Sequence, residues 1–203
     1  MDPEPFDRPM EVAALMAGYK QPWFFAGGWA IDLFHGKVRR PHKDVDIAIL
    51  RKDQLTFQAH FSDWQLKKLV GPDGQEHPEP WQPGEWLELP VMQVWMQTGS
   101  DGWQELEVLL NEADEEEWRW RVDQQIRCPL AWMGMRSPQG LPFLNPAIVL
   151  LFKSRHMNPE HFDYAHDQED FRDTAPLLDE QQRAWLKNAL TLYHSEHLWL
   201  ERL

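Results

Sequence analysis

"FFAGGWAIDLFHGKVRRPHKDVDIAIL", Phe24 to Leu50, decides the fold, because three kinds of signal alternate within it. Trp23 to Ala26 reads as a buried strand, and the pair Gly27-Gly28 ends it. Trp29 to Phe34 then carries the apolar spacing of a helix, and Gly36 marks that helix's end. Val45 to Leu50 alternates with Asp44 and Asp46 and is β-branched at Val45, Ile47 and Ile49, which predicts a strand with one buried face. The order is strand, glycine turn, helix, strand.

Side chains two apart on a strand point to the same face, so Asp44 and Asp46 are expected to project side by side. Two carboxylates that close repel, and a divalent cation relieves the repulsion; hard oxygen ligands of this kind suit Mg²⁺, which completes its shell with water and phosphates. Gly27 and Gly28, ahead of a helix start, would offer backbone N–H groups and the positive end of the helix dipole, with no Cβ in the way. Arg39, Arg40, His42 and Lys43 stand immediately before the aspartates, within reach of the same phosphates. There is neither a GxxxxGK[ST] nor a GxGxxG pattern in the chain, which removes P-loop and dinucleotide-binding readings.

Working outward, Glu11 to Tyr19 suits a short amphipathic helix broken at Gln21-Pro22, and Gln54 to Leu69 a helix followed by a strand. Gly71 to Pro90 holds five prolines, so little regular structure is expected there. Leu89 to Gln97 and Glu105 to Leu110 read as a hairpin turning at Gly99 to Gly102, and the acidic run Asp114 to Glu117 as a solvated turn. After Pro146, the segments Ala147 to His156, His166 to Leu178 and Glu180 to Trp199 carry helical spacing. His156, His161 and His166 recur every five residues, which on a helix spreads them around its surface and argues against a zinc site.

The chain has 203 residues, a formal charge of -13 and one cysteine. That charge argues against gripping nucleic acid through many phosphates, and a lone Cys128 is expected to be a small apolar filler. No apolar run approaches a membrane span and the acidic start does not resemble a signal peptide, so the expected setting is cytoplasmic and soluble. Twelve tryptophans are expected mostly to pack. An acidic loop around Trp81 and Trp86 would suit a polycationic sugar, although packing on the core is its default.

Three stretches carry a resemblance: "GGWAIDLFHGKVRRPHKDVDIAI", Gly27 to Ile49; "LEVLLNEADEEEWRWRVDQQIRCPL", Leu106 to Leu130; and "GLPFLNPAIVLLFKSRH" with "HDQEDFRDTAPLL", Gly140 to Leu178. The chain resembles the DNA polymerase β-like nucleotidyltransferase superfamily, and within it the aminoglycoside and lincosamide adenylyltransferases. The resemblance implies an α/β (α+β) fold with a small mixed, mostly antiparallel sheet flanked by helices, in residues 1–135, and a C-terminal helical segment, 136–203. It implies that Asp44 and Asp46 hold Mg²⁺, that Gly27 and Gly28 back the triphosphate, and that Arg40 and His42, with Lys43 beside them, contact phosphate. The third acidic position falls on Glu107, completing the metal triad or acting as base, with Glu105 as a fallback. Lys153 would reach the nucleotide.

The implied reaction is transfer of AMP from ATP, a co-substrate, to a hydroxyl of a small molecule such as an aminoglycoside or lincosamide. Its partners are a nucleoside triphosphate and that acceptor, without membrane. Three positions depart from the pattern: Glu107 stands where relatives generally carry Asp, Pro146-Ala147 where they carry Pro-Glu, and His166-Asp167 where they carry Lys-Asp. These departures leave open a degenerate scaffold that binds nucleotide or a protein partner without turnover. AMP transfer to a protein or RNA target, as in toxin–antitoxin relatives, is a further alternative.

Overall fold

The computed structural model describes residues 6–72, 75–97 and 106–203. In chain order the elements are α1 (Asp7–Leu15), β1 (Trp23–Phe25), α2 (Gly27–His35), β2 (Val45–Leu50), α3 (Gln54–His60), β3 (Gln65–Val70), β4 (His77–Pro80) and β5 (Gln93–Gln97). There follow β6 (Leu106–Ala113), β7 (Glu117–Arg119), β8 (Arg127–Pro129), β9 (Gly134–Arg136), β10 (Pro142–Leu144), α4 (Pro146–Lys153), α5 (Tyr164–Thr174) and α6 (Glu180–Tyr193).

Among the described residues ten strands form one mixed sheet, ordered β4-β3-β5-β6-β2-β1-β10-β9, with β7 on β6 and β8 on β7. Two pairings are parallel, β2 with β6 and β1 with β10, and the others antiparallel. The β-branched run of β2 explains its place: Val45, Ile47, Ala48, Ile49 and Leu50 are all buried, as a strand between two neighbours and under helices requires. α2 packs on β2 and is flanked by α4 and α5.

α2 begins directly on β1, its N-cap Ala26 still extended, and ends at Gly36, whose φ of 68° is left-handed. Its last turn is closed by the N–H groups of Gly36 and Lys37, which return to the carbonyls of Leu33 and Asp32. α4 is apolar on nearly every side, with Pro146 to Leu151 all buried, so it sits in the core. The Asn145 side chain caps it by accepting from the Ala147 N–H at 3.1 Å. Ala147 itself is fully buried.

The sequence reading needs correction in several places. The glycine pair forms the first turn of α2 rather than a turn before it. The proline-rich segment holds a strand, β4, containing Pro78 and Pro80. It tolerates them because it is an edge strand: the Trp81 N–H bonds back to Leu66, so by alternation the residues at 77 and 79 also face β3. The missing N–H groups of Pro78 and Pro80 therefore belong on the open side. Third, α1 lies earlier than the helix expected at Glu11 to Tyr19, β10 joins the sheet from within the segment expected to be helical, and α4 and α6 stop short at Lys153 and Tyr193, with a 3₁₀ turn at Leu198–Arg202 beyond.

β2 is buried on both faces rather than one; several other local expectations agree with the structure. β5 and β6 pair antiparallel as a hairpin; the turn expected at Gly99 to Gly102 lies outside the described residues. Asp114 makes the expected acidic turn, its Oδ1 accepting from the N–H groups of Glu116 and Glu117 at 2.9 and 2.8 Å. Trp81, Trp118, Trp120 and Trp199 are core residues. Cys128 is buried, and desolvation, with the Glu117 charge, pushes its thiol up to about 12, which fits an inert filler. Among the described residues no helix is long and apolar enough to cross a membrane.

Candidate active site

β2 carries Asp46 to the N-terminus of α2. The Ala26 N–H donates to the Asp46 carbonyl at 2.9 Å, tying the β1–α2 junction to β2. Gly27 has a φ of 54°, and a Cβ there would stand 1.9 Å from Asp46 Oδ2. Glycine is thus required twice over, for its left-handed backbone and for the carboxylate lying against it. A Cβ on Gly28 would meet His42 Cε1 at 2.5 Å and Arg40 Nη2 at 2.9 Å, so those two side chains lie over the second glycine.

The parallel pairing of β2 with β6 sets Glu107 directly beside Asp46. The Gln93 amide on β5 donates to Glu107 Oε2 from the other side. Asp44 ends the segment before β2; it is exposed, and its carbonyl accepts from the Trp29 indole at 3.0 Å. Glu105, the fallback for Glu107, lies outside the described residues.

Burial, then the charges of Asp44 and Asp163, raise the Asp46 carboxyl from 3.8 to about 7, against the opposing pull of Lys153 and Arg40. That leaves the carboxylate poorly compensated by the protein; Asp44, Asp46 and Glu107 offer oxygen donors, the kind Mg²⁺ takes, although among the described residues the three are not gathered within 4.8 Å of one another.

The cations of the opening stretch are held more firmly than the sequence suggests. His42 Nε2 lies 2.6 Å from Asp32 Oδ2, with its ring on Trp29 at a centroid distance of 4.4 Å. Arg39 donates to Asp32 Oδ1 at 2.9 Å and to Asp170 Oδ1, so it braces α2 against α5. Arg40 lies 3.7 Å from Asp170 Oδ2. Lys153 bonds Asp167 Oδ1 at 2.5 Å and lies 3.0 Å from Asp170 Oδ2. Burial alone would lower the Lys153 ammonium, but Asp167 and Asp170 outweigh it and hold it above the ordinary lysine value. Lys43 is exposed.

The structure therefore brings together Gly27, Gly28, Asp46, Arg40, His42 and Glu107. Sequence reasoning misses Asp32, Asp163 and Asp170, and names Asp167 only within the pair His166-Asp167. Asp32 had a visible signal, a carboxylate inside an apolar helical run, which must be paired when buried.

Gly27→Ala is expected to destabilise the fold by about 1–2 kcal/mol from the left-handed backbone alone, with more from the overlap with Asp46. It should also abolish Mg²⁺-dependent stabilisation. Gly28→Ala, whose contacts are side-chain ends, should be milder. Melting curves with and without Mg²⁺ check both.

The family model described as aminoglycoside-2''-adenylyltransferase matches residues 9–69, the stretch from α1 through β3. A crystal structure of ANT(2'')-Ia in complex with adenylyl-2''-tobramycin is similar over 92% of this chain and 98% of that one, at 16% identity and a TM-score of 0.60. A solution structure of ANT(2'')-Ia is similar over 98% and 97%, at 15% identity and a TM-score of 0.60. The lincomycin-bound lincosamide antibiotic adenylyltransferase LnuA is similar over 82% and 96%, at 14% identity and a TM-score of 0.52. No curated protein matches the chain. The fold is that of the nucleotidyltransferases.

Proposed function

We propose that the chain is a Mg²⁺-dependent nucleotidyltransferase that moves AMP from ATP to a hydroxyl of a small molecule such as an aminoglycoside or lincosamide, acting in the cytoplasm. The observation that supports it most is the meeting of Asp46 with the glycine N-terminus of α2, with Glu107 in register alongside. The names of the similar proteins, which specify aminoglycoside and lincosamide adenylyltransferases, favour the same chemistry.

In this reading Asp44 and Asp46 would hold the cation, which when bound would supply charge stabilisation at the reacting phosphorus. The N–H groups of Gly27 and Gly28 bind phosphate oxygens at the helix N-terminus. Arg40 and His42, lying over Gly28, orient the same phosphates; Lys43 adds charge from the exposed side, and Lys153 reaches in from α4. The acceptor oxygen attacks the α-phosphorus, the bond to pyrophosphate breaks, and pyrophosphate leaves with the electron pair. Glu107, which accepts from the Gln93 amide on its β5 side, completes the metal set or takes the hydroxyl proton, the latter a contribution of about 10²–10⁴ in rate. In our reading residues 1–135 carry this machinery apart from Lys153, and 136–203 close the cleft with α4 and α5.

A second reading has one observation in its favour: Asp170 already neutralises Arg39 and Lys153, which leaves less positive charge for a triphosphate. It is a scaffold that binds nucleotide or a partner without turnover. Pyrophosphate release from Mg·ATP with a panel of aminoglycosides and lincosamides separates the two. Acceptor-dependent release is expected, falling about 10²-fold or more in Glu107→Gln. Folded protein that releases none across the panel would favour the scaffold.

A further inference from the structure

α4 stops at Lys153 and α5 starts at Tyr164, and the connection between them is built of turns. Because that segment is not helical, its histidines are not spread around a helix surface. The chain turns back on itself, the Asp163 N–H donating to His161 Nδ1 at 3.2 Å. This return sets the His156 and His161 rings face to face, 4.2 Å between centroids and 9° between planes. One ligand atom from each of His156, His161 and Asp163 can be chosen so that all three lie within 4.8 Å of one another. His166 is not in the group; it lies on α5 and is exposed.

Two features make this more than proximity. His156 Nδ1 is 2.7 Å from Asp167 Oδ2, on a carboxylate whose side chain is only 3% exposed. That is the carboxylate–histidine arrangement which fixes a metal-binding imidazole: Nδ1 keeps its proton, and the Nε2 lone pair is left for an ion. The donor set also differs in kind from that of Asp44, Asp46 and Glu107. Two imidazoles and one carboxylate select borderline transition metals, whereas all-oxygen sets suit Mg²⁺.

We propose that His156, His161 and Asp163 bind one divalent transition-metal ion of the Zn²⁺ or Co²⁺ type, distinct from the Mg²⁺ carboxylates, and that this ion clips the α4–α5 connection. A single ion cannot lie in the planes of two stacked rings, so loading tilts them apart and, whichever His161 nitrogen binds, breaks the Asp163 N–H bond to His161 Nδ1. Phe162, stacked on His161 at 4.6 Å and 83% exposed, has solvent to move into. Three protein ligands leave at least one coordination position for water. Asp167 joins the clip to the cleft, since it holds His156 through one oxygen and Lys153 through the other.

The test needs no turnover, so its result is independent of whether the chain transfers nucleotide. The full chain is titrated with Co²⁺ in excess Mg²⁺, followed by visible absorption and by metal content after dialysis. The wild type and Asp46→Asn are both expected to retain one equivalent with the d–d bands of a nitrogen-ligated ion. His161→Ala and Asp163→Asn should each weaken it by about tenfold or more. Metal-free melting curves establish that the variants are folded, and if one is not, the other decides. The proposal is overturned if the wild type retains no Co²⁺ or Zn²⁺ against Mg²⁺, or if a folded variant at either position binds as tightly as wild type. Loss of the ion in Asp46→Asn would overturn it as well.

Discussion

Asp46→Asn is expected to lower nucleotidyl transfer by about 10³-fold or more, the loss of roughly 4 kcal/mol of transition-state stabilisation, while making the metal-free protein more stable at pH 8. The two effects share one cause. Asp46 is held against Gly27 and near Asp44, and its carboxyl rises from 3.8 to about 7. In metal-free protein between about pH 4 and 7, the folded state keeps a proton that the unfolded chain has released. Stability therefore falls as pH rises through that window and levels off above it, at a cost on the order of a few kcal/mol. Asparagine has nearly the same shape and no charge to strand. Melting curves in chelator should coincide for the two proteins near pH 4 and separate by pH 8, with the variant higher. Parallel curves across this range would refute the account.

Asp170→Asn is expected to destabilise the protein by about 2–3 kcal/mol, because Arg39 and Lys153 lose a shared buried carboxylate and each keeps one partner, Asp32 and Asp167. Asp170 is 1% exposed and stands between Arg39 and Lys153, themselves 10% and 11% exposed. Burial alone would raise its carboxyl, but Lys153 and Arg39 outweigh that and hold it below the ordinary value. The sign is opposite to that of Asp46. The contribution of Asp170 is fully present above the ordinary carboxylate range and disappears as pH falls through its lower folded value. Denaturant titrations from pH 7 down to pH 2 should show the gap between variant and wild type closing on the acid side.

What the sequence disclosed follows the range of the interactions. Gly27, Gly28 and Asp46 were legible because a turn, a helix start and an alternating strand are encoded within a few residues of each other. Glu107 came from the resemblance rather than from periodicity, since the pairing of β2 with β6 joins positions 61 residues apart. The partners of the basic cluster were not legible. Asp170 meets Arg39 across 131 residues, and no local pattern announces such a pair. His42 read as a phosphate contact; it lies over Gly28, yet its Nε2 is on Asp32. The histidine group is hidden when a helical spacing is read through His156, His161 and His166, because the connection between Lys153 and Tyr164 folds back on itself instead.

The outer edge of β4 has a consequence for how copies of this chain meet. With Pro78 and Pro80 in the outward-facing positions, that rim presents carbonyl oxygens and almost no donors. A strand from another molecule needs both to form a ladder, so this side of the sheet is closed to edge-to-edge polymerisation at high concentration, without any helix spent on covering it.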